Sequence, residues 1–300
     1  MRFDSYHPTI NFIYFTLVIA ATICFKHPAF LTVSYFCAFV YSVKLNGVRT
    51  LVFDLCLIPL IAAWTWWYSY YNHFGITVLS QNFIDNSITL EAVVYGAVTG
   101  VIVAAVLMWF SCIHAVVSSD KIIYLFGRVS PKLSLFLSII LRTVPRIKER
   151  AKKINTAQRC IGRGLGQGNI FRRFVNFWRI VSIVITWILE YFVEVSDSMR
   201  CRGYGLKGRT AFSIYRFDNR DRSFVIVVFW CLTVILMAVL LDQVNIQYNP
   251  EIIFNRITPL SYVFYFGYAF LCLLPMGLQV IGETRFGRMR NQAKGEWKIL

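Results

Sequence analysis

The sequence predicts an all-α integral membrane protein with about six transmembrane helices plus long amphipathic helices in the cytoplasm. Of its 300 residues, 57% are hydrophobic and only 15% are charged, which is too few charges to cover a soluble domain of this size. Lys and Arg are absent from three long stretches, 51–117, 223–255 and 257–284. Each stretch holds at least one run of about 20 apolar residues, enough to cross a bilayer core as a helix.

The apolar runs place transmembrane spans near 9–25, 28–45, 50–70, 93–117, 223–241 and 257–281. Cytoplasmic loops of membrane proteins are rich in Lys and Arg, so the distribution of these residues predicts the topology. Residues 72–91 contain neither and should lie outside, whereas residues 119–222 contain 21 of the 31 Lys and Arg residues and should lie inside. With six spans, both termini are cytoplasmic.

This topology divides the chain into three predicted parts. Residues 1–118 hold N-terminal transmembrane helices, residues 119–222 form a cytoplasmic block, and residues 223–300 hold C-terminal transmembrane helices and a basic cytoplasmic tail. Within the block, Pro145 stands where a helix can begin, and apolar and basic residues then alternate at helical spacing. A second long helix is expected from about Ile170 to Arg200. A hairpin of two further spans there would leave the topology unchanged.

Each of the two cytoplasmic helices is predicted to end in an arginine beside a glycine. The pairs are Arg163–Gly164, within AQRCIGRG, and Arg202–Gly203, within SMRCRGYG. An arginine at a helix C-terminus can reach carboxylates or carbonyls, and a glycine lets a partner's backbone approach. Docking of a protein partner is one interpretation, and anchoring of a basic surface to anionic lipid is the other. Neighbouring residues that support or compete with these assignments are Arg159, Gly162 and Cys201.

No catalytic, metal or cofactor site is predicted. Glu190, Glu194 and Asp197 fall on one helical face and could do acid–base or metal chemistry, but pairing with nearby arginines is the expected role. The four histidines lack metal-ligand spacing, and the phosphate-binding pattern G-x-x-x-x-G-K-[ST] is missing. The net charge of +16 is attributed to the positive-inside rule and not to a nucleic-acid partner.

The segment 198–221, SMRCRGYGLKGRTAFSIYRFDNRD, resembles a motif of a known family. It is similar to the second Ala-Arg-Gly motif and the RGYG…RT continuation of the transmembrane T component of energy-coupling factor (ECF) transporters, the EcfT/CbiQ-like family, with Cys201 replacing the alanine. Residues 157–164 stand where the first motif is expected, with Gly162 preceding Arg163 and with Arg159 as a rival arginine. Softer matches over the rest of the chain are His7-Pro8, His27-Pro28, 89–97, 118–127 and 141–150.

The resemblance implies a non-catalytic subunit of an ATP-driven uptake transporter. In that family, two ATP-binding-cassette ATPases bind the ATP and receive the two Arg-Gly motifs in surface grooves. The membrane helices hold a separate substrate-binding S component, often for a vitamin or a transition metal. The coupling residues implied here are Arg163, Gly164, Arg202 and Gly203. A stand-alone transporter or channel, or a membrane enzyme using the three acids on one helical face, are the alternatives.

The topology predicts which positions react with a membrane-impermeant thiol reagent added from outside. In a variant without native cysteines, a Cys placed at Asn82 should be labelled in intact cells and a Cys placed at Gly168 should not, because Lys and Arg are missing around the first and abundant around the second. Permeabilised cells, in which both positions should react, provide the control. The reverse pattern in intact cells would overturn the topology.

Overall fold

The computed structural model describes residues 3–81, 87–206, 215–244, 246–253 and 258–296. Over these residues the chain forms nine α-helices and one two-stranded antiparallel sheet. In chain order the elements are α1 (Pro8–Cys24), α2 (Pro28–Asn46), α3 (Val48–Tyr71), β1 (Val78–Gln81), β2 (Ser87–Thr89), α4 (Leu90–Val116), α5 (Ser119–Val129), α6 (Pro131–Cys160), α7 (Ile170–Cys201), α8 (Asn219–Leu240) and α9 (Pro259–Glu296).

The chain is a multi-pass helical membrane protein, as predicted, and each of the six predicted spans is a helix. By length and composition, α2, α3, α4, α8 and α9 can each cross a membrane, and α1 is an apolar helix of 17 residues. All six belong to one compact unit, Met1–Ser118 with Tyr215–Leu300, called here the membrane unit. The second compact unit, Ser119–Ile214, contains α5, α6 and α7 and is called the basic unit.

A buried polar cluster joins four helices of the membrane unit. Ser34 on α2 lies 2.8 Å from the Thr22 hydroxyl on α1 and accepts a 3.1 Å hydrogen bond from Trp109 Nε1 on α4. The Tyr268 hydroxyl on α9 lies 3.2 Å from Thr22, and all four side chains are fully or almost fully buried. Thr22 also donates to the Val18 carbonyl, so one arrangement of protons uses every donor in the cluster.

Two of the spans begin with the same cap, a histidine followed by proline. The Nδ1 atom of His7 accepts a hydrogen bond from the Thr9 backbone N–H, and Nδ1 of His27 accepts one from Ala29. The proline occupies the first helical position, where its missing N–H costs nothing. These two histidines, for which the sequence analysis predicted no metal, therefore have a structural role at helix starts.

The start of α8 is closed by two acids, Asp218 and Asp221. Asp218 and Asp221 form a reciprocal capping box. The Asp218 carboxylate accepts a hydrogen bond from the Asp221 backbone N–H, and the Asp221 carboxylate accepts one from the Asp218 backbone N–H. Asp221 also lies 3.4 Å from the His7 backbone N–H, which joins the starts of α1 and α8. Hydrogen bonds from Arg220 and from the Asn219 backbone hold the pKa of Asp218 below its ordinary value.

The expectation that Pro145 begins a helix is wrong. Helix α6 begins at Pro131, which takes the first position after Ser130, and Pro145 lies in its interior. The apolar run after Pro131 belongs to the same helix because it packs against α5. At that contact the Ser134 hydroxyl of α6 donates a 3.1 Å hydrogen bond to the Ile123 carbonyl of α5. This packing outweighs the loss of the helical hydrogen bond that Pro145 cannot donate. The predicted second helix is present as α7.

The loop predicted to face outward contains the small sheet, in which Val78 pairs with Thr89 and Gln81 with Ser87. Asn82, the position proposed for labelling, lies outside the described residues.

We expect the Ser34→Ala variant to lower the stability of the membrane unit by about 1–2 kcal/mol. The change leaves the buried Trp109 Nε1 without its acceptor and removes a partner of Thr22. The measurement is thermal unfolding in one detergent. Ser223→Ala is the matched control, because within the described residues that exposed hydroxyl donates to the Asn219 carbonyl of its own helix and to no other helix. Equal midpoints for the two variants would contradict the assigned role of the cluster.

Candidate functional site

The end of α6 is closed by a glycine in the left-handed region. Gly162 has φ +76°, its N–H donates to the Arg159 carbonyl at 3.1 Å, and the Arg163 N–H donates to the Gln158 carbonyl at 2.8 Å. This pair of bonds is the Schellman motif, which satisfies the last helical carbonyls. Gly162 thus supplies the backbone conformation that ends the helix.

The end of α7 is closed in the same way. Gly203 has φ +73°, its N–H donates to the Arg200 carbonyl at 2.9 Å, and the Tyr204 N–H donates to the Met199 carbonyl at 3.0 Å. Arg202, the last residue before the glycine, has φ −82° and ψ 8°, and its side chain is exposed. The arginine of the more specific predicted motif therefore sits on a defined helix end.

The shared hydrogen-bond pattern aligns the two helix ends residue by residue. Both read Arg-Cys-x-Gly-x-Gly, from Arg159 to Gly164 in α6 and from Arg200 to Gly205 in α7. Gly162 corresponds to Gly203, and Cys160 to Cys201. The residue that corresponds to Arg202 is Ile161, with φ −94° and ψ 6°, whereas Arg163 corresponds to Tyr204.

The loop after α6 is anchored through Gly164. Its N–H donates to Gln167 Oε1 at 3.0 Å, and its carbonyl accepts from Asn176 Nδ2 on α7 at 3.3 Å. The Arg159 side chain lies directly over the Gly164 Cα, where a Cβ would collide with it. Gly164 is therefore required by close packing, and the Arg159 backbone carbonyl helps to hold the loop by accepting from Gln167 Nε2 at 3.3 Å.

Near Arg202, α6 and α7 are held together by cationic and aromatic side chains. Arg146 Nη1 donates 2.7 Å to the Tyr191 hydroxyl, and the Arg150 guanidinium lies 5.4 Å from the centre of the Trp187 ring. Trp187 and Tyr191 stack on each other with centroids 5.5 Å apart. The two contacts between the helices are four residues apart on both of them, so they fix α6 and α7 at two points along one contact line.

Arg202 lines an open groove of about 370 Å³ between α6 and α7. The groove also contains Arg142, Arg146 and the carboxylate of Glu194. Three guanidinium groups against one carboxylate make this a surface suited to an acidic or carbonyl-rich partner segment.

The three acids proposed for the enzyme alternative lie on the exposed surface of α7. Glu190 lines a groove with Arg150 and Lys153, and the expected pairing of these acids with nearby arginines stays a prediction. Over the described residues, no group of three or more His, Cys, Asp or Glu side chains could hold a metal ion. The Arg-Thr continuation of the second motif, Arg209 and Thr210, lies outside the described residues.

The sequence analysis did not single out Asp54. This carboxyl group lies on α3 and is fully buried, facing the buried Ser42 hydroxyl of α2 without a hydrogen bond of ordinary geometry. An ionisable side chain inside a transmembrane helix is a functional candidate. The sequence feature that could have pointed to Asp54 is an acid near the start of the stretch 51–117, which lacks Lys and Arg.

Comparisons with curated proteins point to one kind of membrane protein. The chain is 36% identical over 94 residues to the energy-coupling factor transporter transmembrane protein EcfT of Lacticaseibacillus paracasei, covering 30% of this chain and 34% of that protein. It is 25% identical over 188 residues to the EcfT protein of Lactobacillus helveticus, covering 59% and 65%. The predicted resemblance to ECF T components is confirmed.

A further similar protein is EcfT 1 of Listeria monocytogenes, 30% identical over 114 residues, with 35% of this chain and 38% of that protein covered. The chain thus spans between about a third and two thirds of the length of these EcfT relatives. No protein-family model matches the chain.

We expect Gly162→Ala to loosen the last turn of α6, because a non-glycine residue in the left-handed conformation costs roughly 1–2 kcal/mol. Amide hydrogen exchange at Gln158–Gly162 should accelerate, and Gly162→Asn should have a smaller effect since Asn tolerates this conformation. Gly166→Ala in the same loop is the control, because Gly166 has no positive φ and a Cβ there meets nothing within 4 Å. Equal exchange rates in Gly162→Ala and Gly166→Ala would refute this account of the helix end.

Proposed function

We propose that this chain is the transmembrane scaffold and coupling (T) component of an ECF-type uptake transporter of the ATP-binding-cassette class. The observation that carries the proposal is the similarity to several proteins named energy-coupling factor transporter transmembrane protein EcfT. The two glycine-closed helix ends of the basic unit support it, because a T component must present docking groups to soluble subunits.

In this proposal the chain has no catalytic residues and binds no cofactor or metal. Two ABC ATPase subunits bind and hydrolyse ATP on the cytoplasmic side, where the basic unit and both termini lie. A separate S component in the same cell membrane binds the substrate, and lipid surrounds the membrane unit. Nucleic acid has no part in this function.

The two helix ends are proposed as the ATPase-coupling sites. Arg202 and Gly203 form one, and Arg163 and Gly164 form the other, with Gly162 closing the helix and Arg159 fixing the loop. Each end would enter a groove on one ATPase subunit. The contacts between α6 and α7, from Arg146–Tyr191 to Arg150–Trp187, would make the two helices move as one body. Movement of the ATPases would then be transmitted to the membrane helices instead of being lost in bending.

We expect Arg202→Ala to weaken ATPase retention more than Arg163→Ala, because Arg202 occupies the last position before the helix-ending glycine. Truncating one partner of a buried, hydrogen-bonded charge pair costs about 2–5 kcal/mol. Two linked docking sites reinforce each other, so the double variant should lose both ATPases. Lys at 202 should restore little, since it lacks the planar fork of guanidinium. The readout is copurification of ATPase subunits in mild detergent, together with ATP-driven uptake.

Arg222→Ala is the matched control for this series, because Arg222 is an exposed arginine of α8, in the membrane unit and outside both helix ends. Its ATPase retention should equal that of the unchanged chain. A double Arg163→Ala, Arg202→Ala variant that inserts in the membrane, retains both ATPases and drives uptake would overturn the coupling role.

A further inference from the structure

A polar cavity of about 300 Å³ lies at one end of the membrane unit, where α2 and α4 end. By the topology predicted from Lys and Arg, this is the cytoplasmic end, close to the lipid headgroups. Its wall is formed by the start of the chain, the last turns of α2 and α4, and the later part of α9. The polar side chains that the argument uses are Asp4, Tyr41, Lys44, Gln279 and Glu283.

Two buried polar atoms in this wall lack partners. The Tyr41 hydroxyl on α2 and Oε1 of Gln279 on α9 have no hydrogen-bond partner within the described part of the chain. Tyr41 is fully buried, and Gln279 is only 6% exposed. The Gln279 Nε2 donates to Glu283 Oε1 at 3.3 Å, which sets the orientation of the amide and leaves its oxygen to accept. A buried polar atom without a partner destabilises a fold. Two such atoms in the wall of one cavity therefore indicate a ligand that hydrogen-bonds to both.

The charges around the cavity favour a cation. Asp4 and Glu283 bring two carboxylates against the single ammonium of Lys44, which lies 2.9 Å from Glu283 Oε2. The last turns of α2 and α4 add the partial negative charge of a helix C-terminus. A metal ion is the less suitable cation, because no three His, Cys, Asp or Glu side chains of the described residues are grouped to hold one.

The ligand must also donate hydrogen bonds, because an amide oxygen such as Gln279 Oε1 only accepts them. A primary ammonium group combines one positive charge with three N–H donors in a compact head. We propose that this cavity binds a primary ammonium group, with Gln279 Oε1, the Tyr41 oxygen and the Asp4 carboxylate as its acceptors. The inference does not rest on the proposed coupling function, since every residue that carries it belongs to the membrane unit.

A membrane surface offers two sources of this group. One is the headgroup of a phosphatidylethanolamine lipid, and the other is a small amine dissolved in the cytoplasm. With the lipid, the Lys44 ammonium has further N–H donors for the lipid phosphate beyond its contact with Glu283.

The first experiment compares ethanolamine with choline as probes. Both carry one positive charge and one hydroxyl, but the choline nitrogen has no N–H to donate. We expect ethanolamine at saturating concentration to raise the thermal unfolding midpoint of the purified full chain in detergent by about 2–4 °C. Choline at the same concentration and ionic strength should leave the midpoint unchanged.

Two variants decide whether the unpaired atoms are the acceptors. Tyr41→Phe and Gln279→Met each replace an unpaired buried polar atom with an apolar group, and Tyr41→Phe gives up no hydrogen bond within the described residues. Without probe, Tyr41→Phe should therefore unfold at the midpoint of the unchanged chain or slightly above it. In both variants the apparent affinity for ethanolamine should fall by about tenfold or more, the factor that corresponds to 1.4 kcal/mol. Tyr262→Phe is the matched control, because it removes an exposed hydroxyl of α9 and should keep the full response.

A lipid competition separates the two sources. The chain is reconstituted in vesicles of equal parts phosphatidylethanolamine and phosphatidylcholine and extracted in mild detergent, and native mass spectrometry identifies the lipid it retains. Retention of phosphatidylethanolamine that is lost in Tyr41→Phe but kept in Tyr262→Phe supports the site with the lipid as its source. A response to ethanolamine without any lipid preference supports the site with a soluble amine as its source. The site is ruled out if ethanolamine acts no differently from choline and neither lipid is preferred, or if Tyr41→Phe and Gln279→Met both keep the full response.

Discussion

The packing of the membrane unit depends on the cluster of buried, hydrogen-bonded side chains around Ser34. Inside a bilayer, apolar side chains gain little from packing against each other instead of lipid, so hydrogen bonds and close packing must specify which helices meet. Ser34 lies at the centre of the cluster that joins the helices. Thr22 and Trp109 contact it from two other helices, and Tyr268 contacts Thr22 from a fourth. Large aromatic residues then pack around this cluster to complete the core.

The basic unit solves a different problem, which is to present chemical groups rigidly at a helix end. The last carbonyls of a helix need donors, and at both ends here the chain supplies them from its own backbone through a left-handed glycine. The side chains beside the glycines are therefore not used for capping. Arg202 and Ile161 remain exposed, each at a defined place, which is what a docking site that transmits force requires.

Much of this architecture was predictable, because the bilayer imposes simple rules on composition. Six apolar helices followed from the apolar runs, and five of them are long enough to cross a membrane. The helix from Ile170 followed from the periodicity of α7. The predicted helix start at Pro145 was wrong because a proline can lie inside a helix when neighbouring elements hold that helix in place. The packing of α5 against Ser134, which does so here, is not visible in the sequence. Asp54 was overlooked because a single acid carries no signal about whether it faces lipid, water or another helix.

The sequence by itself determined the class of protein, the six apolar helices and the two places where arginine and glycine meet. These depend on composition and local spacing, and both act between residues close in the chain. The shared pattern Arg-Cys-x-Gly-x-Gly also aligns Arg202 with Ile161 within the sequence itself, and the hydrogen bonds that close each helix agree with that alignment. Only the tertiary structure decided which distant side chains meet, such as Ser34 with Trp109, 75 residues apart in the chain. Such contacts depend on how whole helices pack, which composition and local spacing do not express.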